Sequence, residues 1–536
     1  MRVVYWVAIA LALVGTLLLL ARLDPTVARI NDRLRRRWLL GVPWGTLVSV
    51  ALVVVVYLFV QDGISQLRAP VTLPFRAWSY AYPTGWLTAG FAHSDLGHLE
   101  GNLTAAIVLG SLAEYAVGHY PTERGAITFS SWRTNPYVRA FVLVPAAVVG
   151  AGLFTSLFAI GPVIGFSSVV FAFAGVALVR FPLATLVGVL GYRALRTLVD
   201  ALRSPELVSG ISQPPPSQPW WSEVAIQGHA IGLLLGLLVG IAIFRRRGTL
   251  ASPWRVWTAT VLFAITQSLW AVYWFEGADT FRLFQGLGLV LVVVLAGLVA
   301  ATAAGGDRPL LRGWSRRQLA VGTLVLGLIV LSAPAVPVNL VKTDPGPAAE
   351  YPGLEVADYR VIYAEDVENE LVTIVDTGIV DLGDVRTSGV IVASERRDIW
   401  FRVVSRERLD EFGVSYVHLG GVGWRETVSA HRDDWSVAGN GSVYQVWLHD
   451  DDRRVHAFAS PPRRAEAVVA NRTVTIGVEN ESFVATVERD GESLDTVAIP
   501  SVNATVDVAG VTLRNDEGTL RLEHDGTSVP VAARGD

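Results

Sequence analysis

The sequence predicts an α-helical polytopic membrane portion followed by a C-terminal all-β, sandwich-like soluble domain. Three observations predict it. Apolar runs of roughly 20 residues, the length that crosses a bilayer as a helix, recur up to about residue 338. Arginine collects in every second connecting segment, as it does in loops that stay on the cytoplasmic side. Beyond residue 353 the chain turns polar and acidic and alternates with a period of two.

Half of the residues are hydrophobic (51%), too many for a wholly soluble chain of 536 residues. Cysteine is absent, which excludes thiol nucleophiles, thiolate metal sites and disulfides. Lysine occurs only at Lys342, and after it acidic residues outnumber arginine about two to one. With no basic patch to neutralise phosphates, a nucleic-acid partner is not expected.

The first run, Val4 to Ala21, is followed by Arg22, Arg29, Arg33 and Arg35-Arg36-Arg37 without a small-residue cleavage site. It reads as a retained helix with a basic cytoplasmic flank, making residues 1–38 one span plus a loop. Residues 39–244 hold six further spans. These run from Leu39 to Val60, Gly97 to Gly118, Tyr137 to Phe158, Gly165 to Val179, Pro182 to about Leu202, and Glu223 to Phe244. Arg124 and Arg133, the turn Arg180-Phe181-Pro182 and Arg245-Arg246-Arg247 mark the inner side. The segment from Gln61 to Leu96 and the Pro-rich stretch Gln213-Pro214-Pro215-Pro216 are then external. Residues 245–338 add three spans, Trp254 to Trp274, Phe281 to Ala304 and Gln318 to Val338, with Arg308, Arg312, Arg316 and Arg317 inside.

Residues 339–353 form a Pro/Ala-rich linker, and residues 354–536 are expected outside the cell. Alternating segments such as Ser442 to Leu448, Thr473 to Val478 and Ser482 to Val487 read as strands of a β-sandwich. Four Asn-x-Ser/Thr acceptors, at Asn440, Asn471, Asn480 and Asn503, agree with an extracytoplasmic surface, although chance produces such triplets too. The expected location is the cell (plasma) membrane, with the lipid bilayer as solvent.

Polar residues inside spans cost several kcal/mol unless paired, so three clusters need a reason. Gly161-Pro162-Val163-Ile164-Gly165-Phe166-Ser167-Ser168 brings two hydroxyls to the mouth of a span. Taken alone, a serine there is more often a helix N-cap than a nucleophile. His98 and Asn102 lie four apart, on one helix face at the same expected depth. A metal site using His93, Asp95 and His98 matches no strong zinc spacing, and none is expected. Finally, Gly228-His229-Ala230-Ile231-Gly232 carries a histidine on a helix whose glycines permit close packing. On its own that histidine is more often a hydrogen-bonded neighbour than a base.

Together the three clusters can perform acyl transfer. A serine hydroxyl needs a base within hydrogen-bond reach, and neutral imidazole suits that role. The tetrahedral intermediate needs donors, which the Ser167 N–H, Asn102 and His98 can supply.

These ordered motifs resemble the rhomboid family of intramembrane serine proteases over about Leu39 to Phe244. The likeness rests on His98-x-x-x-Asn102, Gly110-x-x-x-Glu114-x-x-x-Gly118, Gly165-Phe166-Ser167-Ser168 with Gly175 following, and His229-x-x-Gly232-x-x-x-Gly236. The resemblance implies a six-span core, with Ser167 as nucleophile and His229 as base. His98 and Asn102 would assist at the oxyanion, and Gly165, Glu114, Phe171 and Gly232 would support the site. It implies single-span membrane proteins as substrates, cut near the outer interface after a small residue, and no cofactor. The alternative it leaves is an inactive relative that binds transmembrane segments. Ser168 stands where the family usually has a second glycine, Phe171 where it often has tyrosine, and the external Trp-Arg pair is missing at its place. The β-rich tail lies outside the likeness and is expected to orient substrate ectodomains or dock an extracytoplasmic partner.

Overall fold

A computed structural model of the chain describes residues 11–12, 14–16, 18–20, 22–23, 32–118, 131–132, 135–201, 219, 221, 224–277, 280–304, 309–311, 313–340, 346–369 and 386–535. Most of the run from Val4 to Ala21, Arg124 and Arg133, the Pro-rich stretch at 213–216, Arg308 and Arg312 lie outside the described residues. The chain divides into two compact units. The first comprises Met1–Gln213, Gln218–Lys342 and Gly420–Arg425, and the second Pro214–Ser217, Thr343–Leu419 and Glu426–Asp536.

The first unit is helical. Among the described residues, four helices are long and apolar enough to cross a membrane: Pro136–Leu157, Ile226–Arg246, Gln285–Ala304 and Arg316–Leu340. Trp44–Val60 and Ser167–Arg180 are shorter apolar helices. Leu96–Val117 is 22 residues long, and its composition is diluted by His98, Glu100, Asn102 and Glu114. One apolar core joins these elements and includes Val53, Leu109, Phe166, Leu233, Leu237 and Phe263. The helix Gln285–Ala304 buries Gly288, Val292, Ala296 and Val299 but exposes Leu287, Val290, Leu291 and Val294. An apolar stripe turned outward is what hydrocarbon, rather than water, would cover.

Two short pieces of sheet interrupt the helices. The run expected as one helix from Trp254 to Trp274 is helical only over Pro253–Thr266. Ser268 adopts a left-handed φ of 62°, which stops the helix. Tyr273–Gly277 (β1) then pairs antiparallel with Thr280–Leu283 (β2). Aromatic residues such as Tyr273, Trp274, Phe275 and Phe281 favour strands as readily as apolar helices. Pro309–Leu311 (β3) and Trp314–Ser315 (β4) form a second hairpin. There Ser315 and Gln318 make a reciprocal capping box that starts the last long helix, Arg316–Ser332. A short helix, Ala335–Leu340, follows.

The second unit is β-rich. Gly353–Val356 (β5), Tyr359–Glu368 (β6), Arg386–Ser394 (β7) and Ile399–Ser405 (β8) form a sheet in sequence order. Val414–Gly421 (β9), Trp424–Val437 (β10), Ser442–His449 (β11) and Arg454–Ala459 (β12) belong to a larger sheet with Thr505–Val508 (β17), Val511–Asp516 (β18), Thr519–His524 (β19) and Thr527–Arg534 (β20). That sheet runs β12-β11-β10-β20-β19-β18-β17, with β9 also paired to β10. Arg463–Arg464 (β13), Thr473–Glu479 (β14), Ser482–Arg489 (β15) and Glu492–Ala498 (β16) make a third sheet. A short helix, Arg406–Phe412, lies among the strands, capped by Ser405 and ended by Gly413 at a left-handed φ of 64°. The alternating pattern is physical: Val474, Ile476, Ala485 and Val487 point into one apolar core with Leu513, Leu520 and Leu522. The four sequon asparagines are all exposed and sit at turns or bends.

Arg397 grips Asp358 through Nε at 2.5 Å and a second nitrogen at 2.8 Å, while Ser394 donates to the same carboxylate at 3.1 Å. Burial alone would raise the Asp358 carboxyl, but the hydrogen bonds and charge of Arg397 outweigh it and hold it below its ordinary value. Its stabilising contribution is therefore present above the unfolded-state value of about 4 and is lost as pH falls below it. Asp358→Asn is expected to destabilise this unit by about 2–4 kcal/mol at neutral pH. Chemical denaturation of the full chain, followed through tryptophan emission such as that of Trp400, measures it. An unchanged midpoint would refute the assignment.

Candidate active site

The site is built from three helices and one loop. Asp95 caps the asparagine helix, Leu96–Val117, by accepting from the backbone N–H of His98 at 2.9 Å. Asp95 is thus employed as a helix cap, and no group of three or more metal-ligating side chains occurs among the described residues. The serine helix, Ser167–Arg180, begins one residue after Phe166, which occupies the cap position without any side-chain capping bond. Ser167 is therefore not an N-cap, and its hydroxyl is free for another partner.

That partner is His229, whose Nε2 lies 2.7 Å from Ser167 Oγ. His229 sits one turn into the histidine helix, Ile226–Arg246. Its ring stacks on Phe171 at 4.3 Å between centroids and 12° between planes, and Phe263 meets the side of Phe171 edge-on at 5.6 Å. The aromatic face expected of Phe171 is present without a phenol. His229 Nδ1 is buried with no hydrogen-bond partner, so ring stacking and helix packing hold the imidazole in place. Ser168 points elsewhere, with its Oγ against Gly228.

Glycine sets the distance between the serine and histidine helices. A Cβ on Gly232 would collide with the Ser168 carbonyl, and one on Gly236 with the Ala172 carbonyl. From the opposite side, a Cβ on Gly175 would come within 2.7 Å of the Leu237 nitrogen. The two backbones touch, and only glycine allows it.

His98 and Asn102 lie against Gly165, two residues before the serine. Gly165 has a φ of 133°, and a Cβ there would fall 2.9 Å from His98 Nε2 and 3.7 Å from Asn102 Nδ2. Gly165 is required both by its backbone angle and by these two side chains. The Ser94 hydroxyl bridges His98 Nδ1 at 3.0 Å and Asp95 Oδ2 at 2.8 Å. Asn102 Nδ2 is buried without an acceptor, a donor held ready at the mouth of the serine helix. His93, fully buried, accepts a long hydrogen bond from the Phe166 N–H at 3.5 Å. Glu114 belongs elsewhere: three turns further along its helix it accepts from the N–H groups of Gly45 and Thr46 and from the Thr46 hydroxyl. It fastens the helix Trp44–Val55 to the asparagine helix and does not reach the dyad.

Between Ile160 and Phe166 the loop is held residue by residue. Arg76 donates to the Pro162 carbonyl at 3.0 Å, and Ala77 N–H donates to the Val163 carbonyl at 3.0 Å. Gly165 N–H donates to the Ala89 carbonyl at 2.8 Å. Arg76 was not singled out from the sequence; it is one of two arginines, with Arg68, in the segment read as external, and nothing in its spacing marks it. A cleft of about 300 Å³, counting its open mouth, lies over Ser167 and is lined by Ala89, Gly90, Ser156, Ala159 and Gly228 among others. Alanine, glycine and serine make most of this wall, and Thr155, Val163 and Ile164 complete it. A serine hydroxyl that lines the cleft and is bonded to a histidine, with an unpaired amide donor near Gly165, is an arrangement competent for attack on a carbonyl.

Residues 80–246 match the family model for the Rhomboid domain. No curated protein and no solved structure matches the chain.

Proposed function

We propose, from the chain's membership of the rhomboid family through residues 80–246, that it is an intramembrane serine protease cleaving single-span membrane proteins with a Ser167–His229 dyad. The observation that carries the reading is the 2.7 Å approach of His229 Nε2 to Ser167 Oγ beside a buried, unpaired Asn102 Nδ2. Family membership alone also admits an inactive relative that binds transmembrane segments, but loss of the dyad would favour that reading, and here the dyad is intact.

His229 takes the proton of Ser167 as Oγ attacks the scissile carbonyl, and returns it to the departing amine. The resulting acyl-enzyme is hydrolysed by water with His229 again as base. The Ser167 N–H and Asn102 Nδ2 donate to the oxyanion. His98 joins them through Nε2–H only when Ser94 turns its single proton from Asp95 Oδ2 to His98 Nδ1; while Ser94 donates to Asp95, neutral His98 donates through Nδ1 and its Nε2 is an acceptor. The small-residue wall of the cleft favours a small side chain before the scissile bond. We further read the protein as a multi-pass plasma-membrane protein with the β-rich unit extracytoplasmic, where it orients substrates or docks a partner.

The test is cleavage of a labile single-span reporter by the full chain reconstituted in lipid vesicles, with labelling of Ser167 by a fluorophosphonate probe. A folded chain that neither cleaves nor takes up the probe would leave the binding role standing instead. Asn102→Ala is expected to lower kcat about 100-fold or more while leaving probe-free folding and reporter binding unchanged, since its donor acts on charge that develops only during reaction. An equal change in KM would argue for a role in ground-state binding.

A further inference from the structure

The approach to the catalytic loop is fastened by two carboxamides. Gln227 Nε2 donates to the Phe158 carbonyl at 2.9 Å, and its Oε1 accepts from the Ile160 N–H at 3.1 Å. Asn339 Nδ2 donates to the Ala159 carbonyl at 2.9 Å. Three successive backbone units at the end of Pro136–Leu157 are thereby satisfied by side chains rather than by water. Gln227 uses its remaining amide proton on the Leu331 carbonyl at 2.7 Å, near the end of Arg316–Ser332. The Asn339 backbone carbonyl accepts from the Tyr80 N–H at 2.8 Å, and the Tyr80 hydroxyl donates to the Leu157 carbonyl at 2.7 Å.

We infer that Gln227 and Asn339 are positioning residues for the proposed protease reaction, and that the last helical segment, Arg316–Leu340, is a working part of the active site although it lies beyond the rhomboid domain. This rests on the protease reading above. Gln227 precedes His229 by two residues and so ties the start of the histidine helix to the loop that carries Ser167. Asn339 is buried at 2% exposure and fixes Ala159, which itself lines the cleft. A displaced Phe158–Ile160 segment would carry the loop, and with it Ser167, away from His229. The contact of Phe263 with Phe171 behind the His229 ring is a second support from the helices after residue 246. A segment with only a lipid-facing role would not direct its carbonyls and a buried amide at this strand of backbone.

The experiment uses the full chain in vesicles and follows steady-state cleavage of the single-span reporter together with the rate of fluorophosphonate labelling. Gln227→Met and Asn339→Leu keep volume and remove the hydrogen bonds. Each is expected to lower kcat and the labelling rate about 10- to 100-fold, with KM within twofold and the thermal midpoint near that of the unchanged chain. Gln227→Asn, which keeps the amide but is one methylene too short to span both carbonyls, is expected to lose the same amount. It serves in place of Gln227→Met if that variant does not fold. Unchanged kcat in folded Gln227 and Asn339 variants would overturn the inference while leaving the protease reading intact. So would a loss of kcat matched by an equal rise in KM. If the unchanged chain neither cleaves nor labels, the protease reading fails and the inference with it.

Discussion

Ser167→Ala is expected to reduce cleavage of a single-span reporter by about 10⁴-fold or more, because among the described residues no other hydroxyl is hydrogen-bonded to His229. Ser168→Ala is the informative control. Its Oγ faces Gly228 rather than the imidazole, so its removal forfeits at most a buried hydrogen bond of about 1 kcal/mol, less than tenfold in rate. The same pair of variants should separate in probe labelling, with Ser168→Ala modified and Ser167→Ala not. Labelling that persists in Ser167→Ala and disappears in Ser168→Ala would reverse the assignment. The family resemblance already points to Ser167 rather than its neighbour, and the 2.7 Å contact with His229 supports the same proposal.

Gly232→Ala is expected to be the most damaging conservative change away from the reacting atoms. The added methyl would meet the Ser168 carbonyl carbon at 2.8 Å and its Cα at 3.2 Å. Backbone atoms cannot rotate aside as a side chain would, so the serine and histidine helices must part. Overpacking of this kind costs about 1–3 kcal/mol in stability, and a shift of about 1 Å between the members of the dyad costs about 100-fold in rate. Gly150→Ala provides the comparison, since a Cβ there meets nothing within 4 Å and alanine favours a helix. Cleavage rates and thermal midpoints of the two variants check the argument. A Gly232→Ala enzyme with full activity would show that the helices are not locked by their backbones.

Much of this site is readable in the sequence because its chemistry is local. His98 and Asn102 share a helix face by spacing, Gly232 and Gly236 are spaced for packing around His229, and Gly165 precedes Ser167 where the backbone must turn. The supporting contacts are not local. Gln227 bonds the Leu331 carbonyl across 104 residues, and Asn339 bonds that of Ala159 across 180. A carboxamide that serves distant backbone leaves no periodic mark, so these two residues read as ordinary polar positions. The N-cap reading of Ser167 failed for a similar reason: the start of a helix can be placed only to within a residue or two, and here one residue decides between cap and nucleophile. The hairpin formed by β1 and β2 was hidden because an aromatic run suits a strand and a span equally. Glu114 was readable as buried, but its spacing on the asparagine helix carries no hint that its partner is the amino end of Trp44–Val55.

The serine helix has 14 residues, so it rises only about 21 Å. A hydrocarbon layer of about 30 Å is thicker than that. On the topology proposed above, with Arg180 at the inner face, Ser167 stops about 9 Å short of the outer one, below the level at which water is plentiful. The proposed reaction consumes a water molecule for each acyl group released, and the neighbouring Ser94, Asp95 and His98 give that water polar stepping points. Acylation draws on the dyad alone, whereas deacylation draws on supply. For the proposed protease, a short helix would thus separate the two half-reactions by what limits them: geometry for the first, hydration for the second.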